Sequence, residues 1–192
     1  MNFIQKLSKV RLLVSDADGV LTDGQLYYTK SGEEIKAFNV RDGEGLKQIK
    51  RHGVRTAIIS GRSSEALRKR ALDLAVDDVH MGVSDKTEIL KGILQRTGIS
   101  AEETLYIGDD VGDVDVLLSA GLSVAVADAH NQAKDSADYV TANCGGAGAV
   151  REICDLIISA EAPSSAAKRP SEARRYRTNQ PTNQPTKLTP KP

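Results

Sequence analysis

The sequence predicts an α/β domain: a three-layer, doubly wound parallel sheet. Three observations carry this. Short, mainly apolar runs recur along the chain at 10–15, 54–60 and 104–108. Segments with helical spacing separate them, which is the βαβ pattern of a sheet covered on both faces. The chain has 192 residues, enough for one such domain and little more.

Residues 10–15 read as a buried strand that ends in Asp16-Ala17-Asp18-Gly19. Residues 25–29 and 34–39 are rich in β-formers and flank Lys30-Ser31-Gly32, which predicts a hairpin. Tyr27 and Tyr28 then read as hairpin packing. A helix is expected over 45–52, stopped by Gly53, followed by a strand at 54–60 and a helix at 63–74. A short strand at 77–80 precedes a helix at 84–97 ended by Gly98. Ser100-Ala101-Glu102-Glu103 has the form of a capping box. Then come a strand at 104–108, a helix at 111–120, a strand at 122–127, a possible strand at 139–141 and a last helix at 148–159.

Composition narrows the function. Lys plus Arg and Asp plus Glu each number 26, so the net charge is zero, against a dedicated nucleic-acid binder. Aromatic residues are 4% and Trp is absent, which leaves little for base stacking. No apolar run is long enough to cross a membrane, and the first residues lack a leader's apolar core. Cys144 and Cys154 lack metal-ligand partners at suitable spacing, so reduced thiols and a cytoplasmic setting are expected.

The zero net charge hides an asymmetry. Residues 161–192 hold seven basic and two acidic residues and all six prolines, with Thr-Asn-Gln-Pro repeated from Thr178 to Pro185. Residues 1–160 hold 19 basic and 24 acidic residues, a net of −5, and no proline. The expected organisation is one domain over 1–160 and a disordered, basic, proline-containing tail over 161–192.

Four elements carry chemistry. Asp16 and Asp18 follow the first strand, and two carboxylates so close need a cation beside them. An all-oxygen donor set suits Mg²⁺. Gly108-Asp109-Asp110-Val111-Gly112-Asp113 sets a second acidic cluster after another buried strand. Ser60-Gly61-Arg62, at a strand-to-helix turn, offers a hydroxyl and backbone N–H groups to a phosphate. Lys86 opens a helix. In a doubly wound sheet, ligands bind beyond the carboxyl ends of the strands, where Asp16, Asp18, Ser60 and Asp109 all fall.

In this order and at these places, the four elements resemble the haloacid dehalogenase superfamily of phosphotransferases over about residues 10–158. The resemblance implies a Rossmann-like core in which Asp16 is the nucleophile and Asp18 the general acid and base. It implies that Asp16, the main-chain carbonyl of Asp18, and Asp109 hold Mg²⁺. Ser60 and Lys86 would bind the phosphoryl group, and Asp110 and Asp113 would support the metal shell. The segment between Thr22 and Val54 has room for a hairpin and one helix only, so no cap domain is expected.

Within that superfamily GVLTDGQLYY, KAFNVRDGEGLK, IISGR and GGAGAVREICDLI are similar to the capless 3-deoxy-D-manno-octulosonate 8-phosphate phosphatases. That likeness implies hydrolysis of a phosphorylated sugar acid by a homotetramer, each site completed by a neighbouring subunit, in lipopolysaccharide synthesis, with no nucleic-acid or membrane partner. It also implies substrate contacts from Asn39, Val40, Arg41, Asp42, Gly43, Lys47, Arg62 and Arg70. Two positions depart from the pattern: Lys47 and Ala147 each stand where the family commonly has Arg. A related nine-carbon sugar-acid phosphate and a non-catalytic assembly module are the alternatives. A phosphorylatable receiver domain fits less well, because its acceptor Asp would lie on a middle strand.

Overall fold

The computed structural model describes residues 3–161. Of the tail expected over 161–192, Glu161 ends the last helix and residues 162–192 lie outside the described residues. The chain runs α1 (Phe3–Leu7), β1 (Leu12–Ser15), β2 (Tyr27–Tyr28), β3 (Glu34–Ile35), α2 (Val40–Arg51), β4 (Arg55–Ser60), α3 (Glu65–Asp73), β5 (Asp78–Met81) and α4 (Lys86–Thr97). It continues through β6 (Thr104–Gly108), α5 (Val114–Ser119), β7 (Leu122–Ala125), α6 (Asn131–Asp135), β8 (Tyr139–Val140) and α7 (Ala149–Glu161).

Six strands form one parallel sheet in the order β5-β4-β1-β6-β7-β8, and β2 and β3 form a separate antiparallel hairpin. β1, β4, β6 and β7 are buried almost throughout, as expected of strands covered on both faces. Their Leu, Ile and Val side chains, with the ring of Tyr106, make the core. The register sets Ser15 level with Ile58 of β4 and Ile107 of β6, so all three strands end within two residues of one another.

Helix boundaries follow local chemistry. Ser64 and Asp85 cap α3 and α4 by accepting from Leu67 N and Glu88 N. Gly98, with φ of +68°, closes α4 in the left-handed conformation that glycine adopts without strain. The Glu103 carboxylate accepts the Ser100 N–H at 3.2 Å, the returning half of the expected capping box.

The largest departure from expectation is α2. It begins at Val40, five residues before the predicted start, and β3 ends at Ile35 rather than at residue 39. Asn39 is the cause: its side chain accepts from Arg41 N and starts the helix there. Gly43 and Gly45 lower helix propensity, but both are dictated by packing. A Cβ at Gly43 would lie 2.2 Å from Arg70 Nη2, and one at Gly45 would lie 3.0 to 3.2 Å from Arg151 and Cys154. α2 therefore packs closely on α7, and the Arg70 side chain of α3 reaches across to Gly43.

Three smaller differences have similar local causes. The expected helix at 111–120 is a 3₁₀ turn, Val111–Asp113, leading into α5. The five-residue helices α1 and α6 were not anticipated. Burial of Leu7 and stacking of Phe3 on Tyr139, centroids 4.7 Å apart, hold α1. His130 caps α6 by accepting from Gln132 N.

Candidate active site

The loops after β1, β4 and β6 and the start of α4 enclose a cavity of about 400 Å³ at the carboxyl end of the sheet. Asp16, Asp18, Ser60, Arg62, Lys86 and Asp109 all line it, joined by Asp110 and Asp113. Residues more than ninety apart in sequence meet there because their strands are neighbours in register.

Asp16 extends β1 by one more sheet hydrogen bond, its N–H donating to Ile107 O at 2.9 Å. Its carboxylate Oδ1 accepts Ala17 N at 2.7 Å, while Oδ2 lies 3.0 Å from Lys86 Nζ. Lys86 reaches Asp113 Oδ1 as well, at 2.7 Å. Asp113 is buried and fully engaged. Tyr106 donates to its Oδ1 at 2.7 Å, and the Asp109 and Asp110 N–H groups donate to its Oδ2 at 3.0 and 3.2 Å. Two glycines permit this crowding. A Cβ at Gly108 would meet Asp113 at 2.6 Å, and one at Gly19 would lie 2.0 Å from Asp109 Oδ2.

Carboxylate oxygens of Asp16, Asp109 and Asp113 all lie within 4.8 Å of one another. Burial, reinforced by the Asp113 charge and opposed by Lys86, raises the Asp16 pKa to about 6. Burial, then the charges of Asp16 and Asp113, raises Asp109 to about 8. Burial opposes the charge on Lys86, yet Asp16 and Asp113 outweigh it and raise the Lys86 pKa. The site is a buried anionic cluster with one ammonium, short of positive charge, and its hard oxygen donors suit Mg²⁺. Asp113, expected only to support the metal shell, stands in the cluster itself. Asp110 is exposed and opens the 3₁₀ turn.

Ser60 is buried at the end of β4, its hydroxyl accepting Arg62 N at 3.3 Å. Asp18 faces the cavity from the other wall. Its Oδ1 is paired with Lys36 Nζ, and its Oδ2 lies 3.7 Å from Arg62 Nε. Lys36 also pairs with Glu34 at 3.5 Å, and Arg62 with Glu34 at 3.1 Å. Asp18, Lys36, Glu34 and Arg62 thus close a ring of alternating charge. Neither Lys36 nor Glu34 was expected at the site from the sequence. A signal for them existed: residues two apart on a hairpin leg share a face, and Asp18 needed a cation.

The other residues expected at the substrate do not line this cavity. Asn39 caps α2, and its Nδ2 donates to Gly146 O at 3.2 Å. Val40 and Lys47 are exposed. Arg41 borders a separate depression that Ala147 and Arg151 also line. Arg70 donates to Asn39 O at 3.1 Å, stands 5.9 Å over the Phe38 ring and crowds Gly43. Asp42 is 1% exposed and its Oδ1 accepts Arg151 N at 2.8 Å, so its carboxylate ties α2 to α7. Gly43, buried against Arg70, is likewise a packing position.

Comparison with known proteins identifies the family. Residues 76–153 match the haloacid dehalogenase-like hydrolase family. The chain is 44% identical over 165 residues to the 3-deoxy-D-manno-octulosonate 8-phosphate phosphatase of Escherichia coli strain K12, covering 86% of this chain and 88% of that protein. It is 42% identical over 161 residues to the enzyme of the same name from Haemophilus influenzae, covering 84% of this chain and 89% of that protein. Among solved structures it resembles the Moraxella catarrhalis phosphatase in complex with magnesium ion, phosphate ion and KDO, with a TM-score of 0.81 and 40% identity. That match covers 82% of this chain and 91% of the other. The cobalt-bound H. influenzae phosphatase gives a TM-score of 0.80 at 41% identity, covering 86% of this chain and 96% of the other.

Proposed function

The chain belongs to the haloacid dehalogenase-like hydrolases, in the family of the 3-deoxy-D-manno-octulosonate 8-phosphate phosphatases, and from that premise we propose that it hydrolyses this sugar-acid phosphate through a phosphorylated Asp16. The observation that carries the reading is the Asp16 carboxylate at the cavity wall, one oxygen against Lys86 and a cluster of oxygen donors beside it.

Asp16 attacks phosphorus, forming the Asp16 O–P bond as the bond from phosphorus to the sugar oxygen breaks. Asp18 gives that oxygen its proton and leaves the sugar acid as an alcohol. Asp18 then takes a proton from water, which attacks the phosphorus of the aspartyl-phosphate and releases inorganic phosphate and free Asp16. Ser60 and Lys86 hold the phosphoryl oxygens. Asp16, the main-chain carbonyl of Asp18, and Asp109 would hold Mg²⁺, with Asp113 in the same cluster and Asp110 at the turn beside it. The ion supplies charge neutralisation and phosphoryl orientation, which dominate phosphoryl transfer. A positioned acid and base adds roughly 10²- to 10⁴-fold.

A homotetramer is part of the proposal. Leu26, Tyr27, Tyr28, Ile35 and Val40 are 40% to 79% exposed on or beside the hairpin, too much apolar surface for the two tyrosines to be internal packing. Covering that face with further copies of the chain would bring hairpin and α2 residues, Arg41 among them, to a neighbour's cavity. Both cysteines are free, in keeping with a reducing cytoplasm, and no described helix is long and apolar enough to cross a membrane.

The test is phosphate release from a panel of phosphorylated sugar acids, with and without Mg²⁺. Preference for the eight-carbon octulosonate phosphate supports the reading. Preference for a nine-carbon acid keeps the mechanism and changes the substrate. Absence of release from every member overturns the enzymatic reading.

A further inference from the structure

We infer that Lys36, carried on the hairpin leg, is a positioning residue for the proton-transfer group Asp18; the inference rests on Asp18 having that role in the proposed reaction. Lys36 is the more unusual partner of the pair. Its side chain is 2% exposed, and an ammonium so fully removed from water is kept only where anions compensate it. Two do. Asp18 Oδ1 is paired with it directly, and Glu34 Oε1 lies at 3.5 Å. Among the described residues no other cation is paired with that oxygen of Asp18, and Arg62 stands 3.7 Å from the other one.

The geometry divides the labour between the two carboxylate oxygens. Lys36 captures Oδ1 and fixes the rotamer, so Oδ2 is the oxygen left to exchange a proton with the sugar oxygen or with water. Glu34 holds Lys36 and Arg62 together and closes the ring, with Arg62 donating to it at 3.1 Å and to Tyr28 OH at 3.3 Å. Without Lys36, Asp18 keeps its acidity in principle but loses its aim. Misplacing a catalytic group by about 1 Å is enough to cost on the order of 10²-fold.

Leaving-group dependence tests this. An alkyl oxygen leaves slowly unless it is protonated, whereas p-nitrophenolate leaves readily without help. The quantity to measure is the ratio of kcat/KM for 3-deoxy-D-manno-octulosonate 8-phosphate to kcat/KM for p-nitrophenyl phosphate. Lys36→Met is expected to lower this ratio by about 10- to 100-fold, and Lys36→Arg to restore most of it. Asp18→Asn, measured alongside, is expected to lower the same ratio by about 10²- to 10⁴-fold. A Lys36→Met protein that loses both substrates in proportion, beside an Asp18→Asn protein that loses the alkyl ester selectively, overturns the positioning role and leaves the acid in place. An unchanged ratio in Asp18→Asn overturns both. If Lys36→Met does not fold by circular dichroism, Glu34→Gln, which loosens Lys36 without removing it, is expected to shift the ratio the same way by a smaller factor. A constant ratio in that variant counts against the proposal.

Discussion

Asp113 and Lys86 lie 2.7 Å apart, and between them they organise three of the site's loops. The same carboxylate binds the Tyr106 hydroxyl and the N–H groups of Asp109 and Asp110, while the same ammonium reaches Asp16. Neither residue is a free surface charge: their side chains are 1% and 12% exposed.

Asp113→Ala is therefore expected to damage stability and turnover together. It strands a buried hydroxyl and two backbone N–H groups and removes one anion from Lys86, a loss of about 3 kcal/mol or more. Urea unfolding at fixed Mg²⁺ measures it. A change under about 1 kcal/mol would mean that water replaces the carboxylate at little cost.

Asp16→Asn keeps the side chain's volume and the Ala17 hydrogen bond but removes the nucleophile. Turnover should fall by about 10⁴-fold or more while circular dichroism and oligomer size stay as in the parent. Parent-like turnover by this variant would assign the nucleophile elsewhere.

The pH dependence of metal binding has a definite sign. Burial holds Asp16 at about 6 and Asp109 at about 8, both above the ordinary carboxylate value. Between the unfolded and folded pKa values the folded chain binds more protons. The contribution of these two groups to metal-free stability is thus fully present below about pH 4, falls as pH rises through the folded values, and levels off above about pH 8. Mg²⁺ requires the ionised forms, so its stabilising effect should grow over the same interval. Thermal unfolding at about pH 5 and about pH 8, with and without Mg²⁺, checks this. An equal Tm increase at both would remove these two carboxylates as the titrating ligands.

Gly145→Ala tests the support behind the first catalytic loop. A Cβ there would lie 1.7 Å from Gly19 O, and Gly146 N–H already donates to Val20 O at 2.9 Å. Backbone must move, at a cost of about 1–3 kcal/mol. Because Gly19 also touches Asp109, Mg²⁺ affinity measured by calorimetry should weaken as well. Unchanged affinity would mean that the displacement stays on the Gly145 side.

The parallel sheet and the four chemical elements were legible because each rests on local pattern: an apolar run followed at once by a polar residue. Asp16, Ser60 and Asp109 could be placed at strand ends from that alone, and Lys86 at a helix start gained its meaning from their company. The start of α2 was not legible, since Gly43 and Gly45 argue against a helix unless their crowding by Arg70, Arg151 and Cys154 is known. Asp42 was expected at the substrate from the resemblance of its segment, and its burial against Arg151 is not visible in sequence. Lys36 was hidden for another reason. Alternation along the hairpin leg sets it on one face with Glu34, but nothing local says that this face folds back over Asp18.

The strand register has one more consequence. Asp16 stands one residue beyond the row formed by Ser15, Ile58 and Ile107, while Ser60 and Asp109 stand two beyond it. Their spacing is set by the ladder of backbone bonds, not by the groups themselves. The sheet acts as a ruler graduated in steps of about 3.3 Å. Substitutions inside β1, β4 or β6 leave that ruler unmarked so long as they fit the core. A single-residue deletion slides one mark past the others and turns every side chain beyond it to the opposite face. In this lineage, change in those strands should run through exchange of apolar residues, with insertions and deletions confined to the loops away from the carboxyl edge.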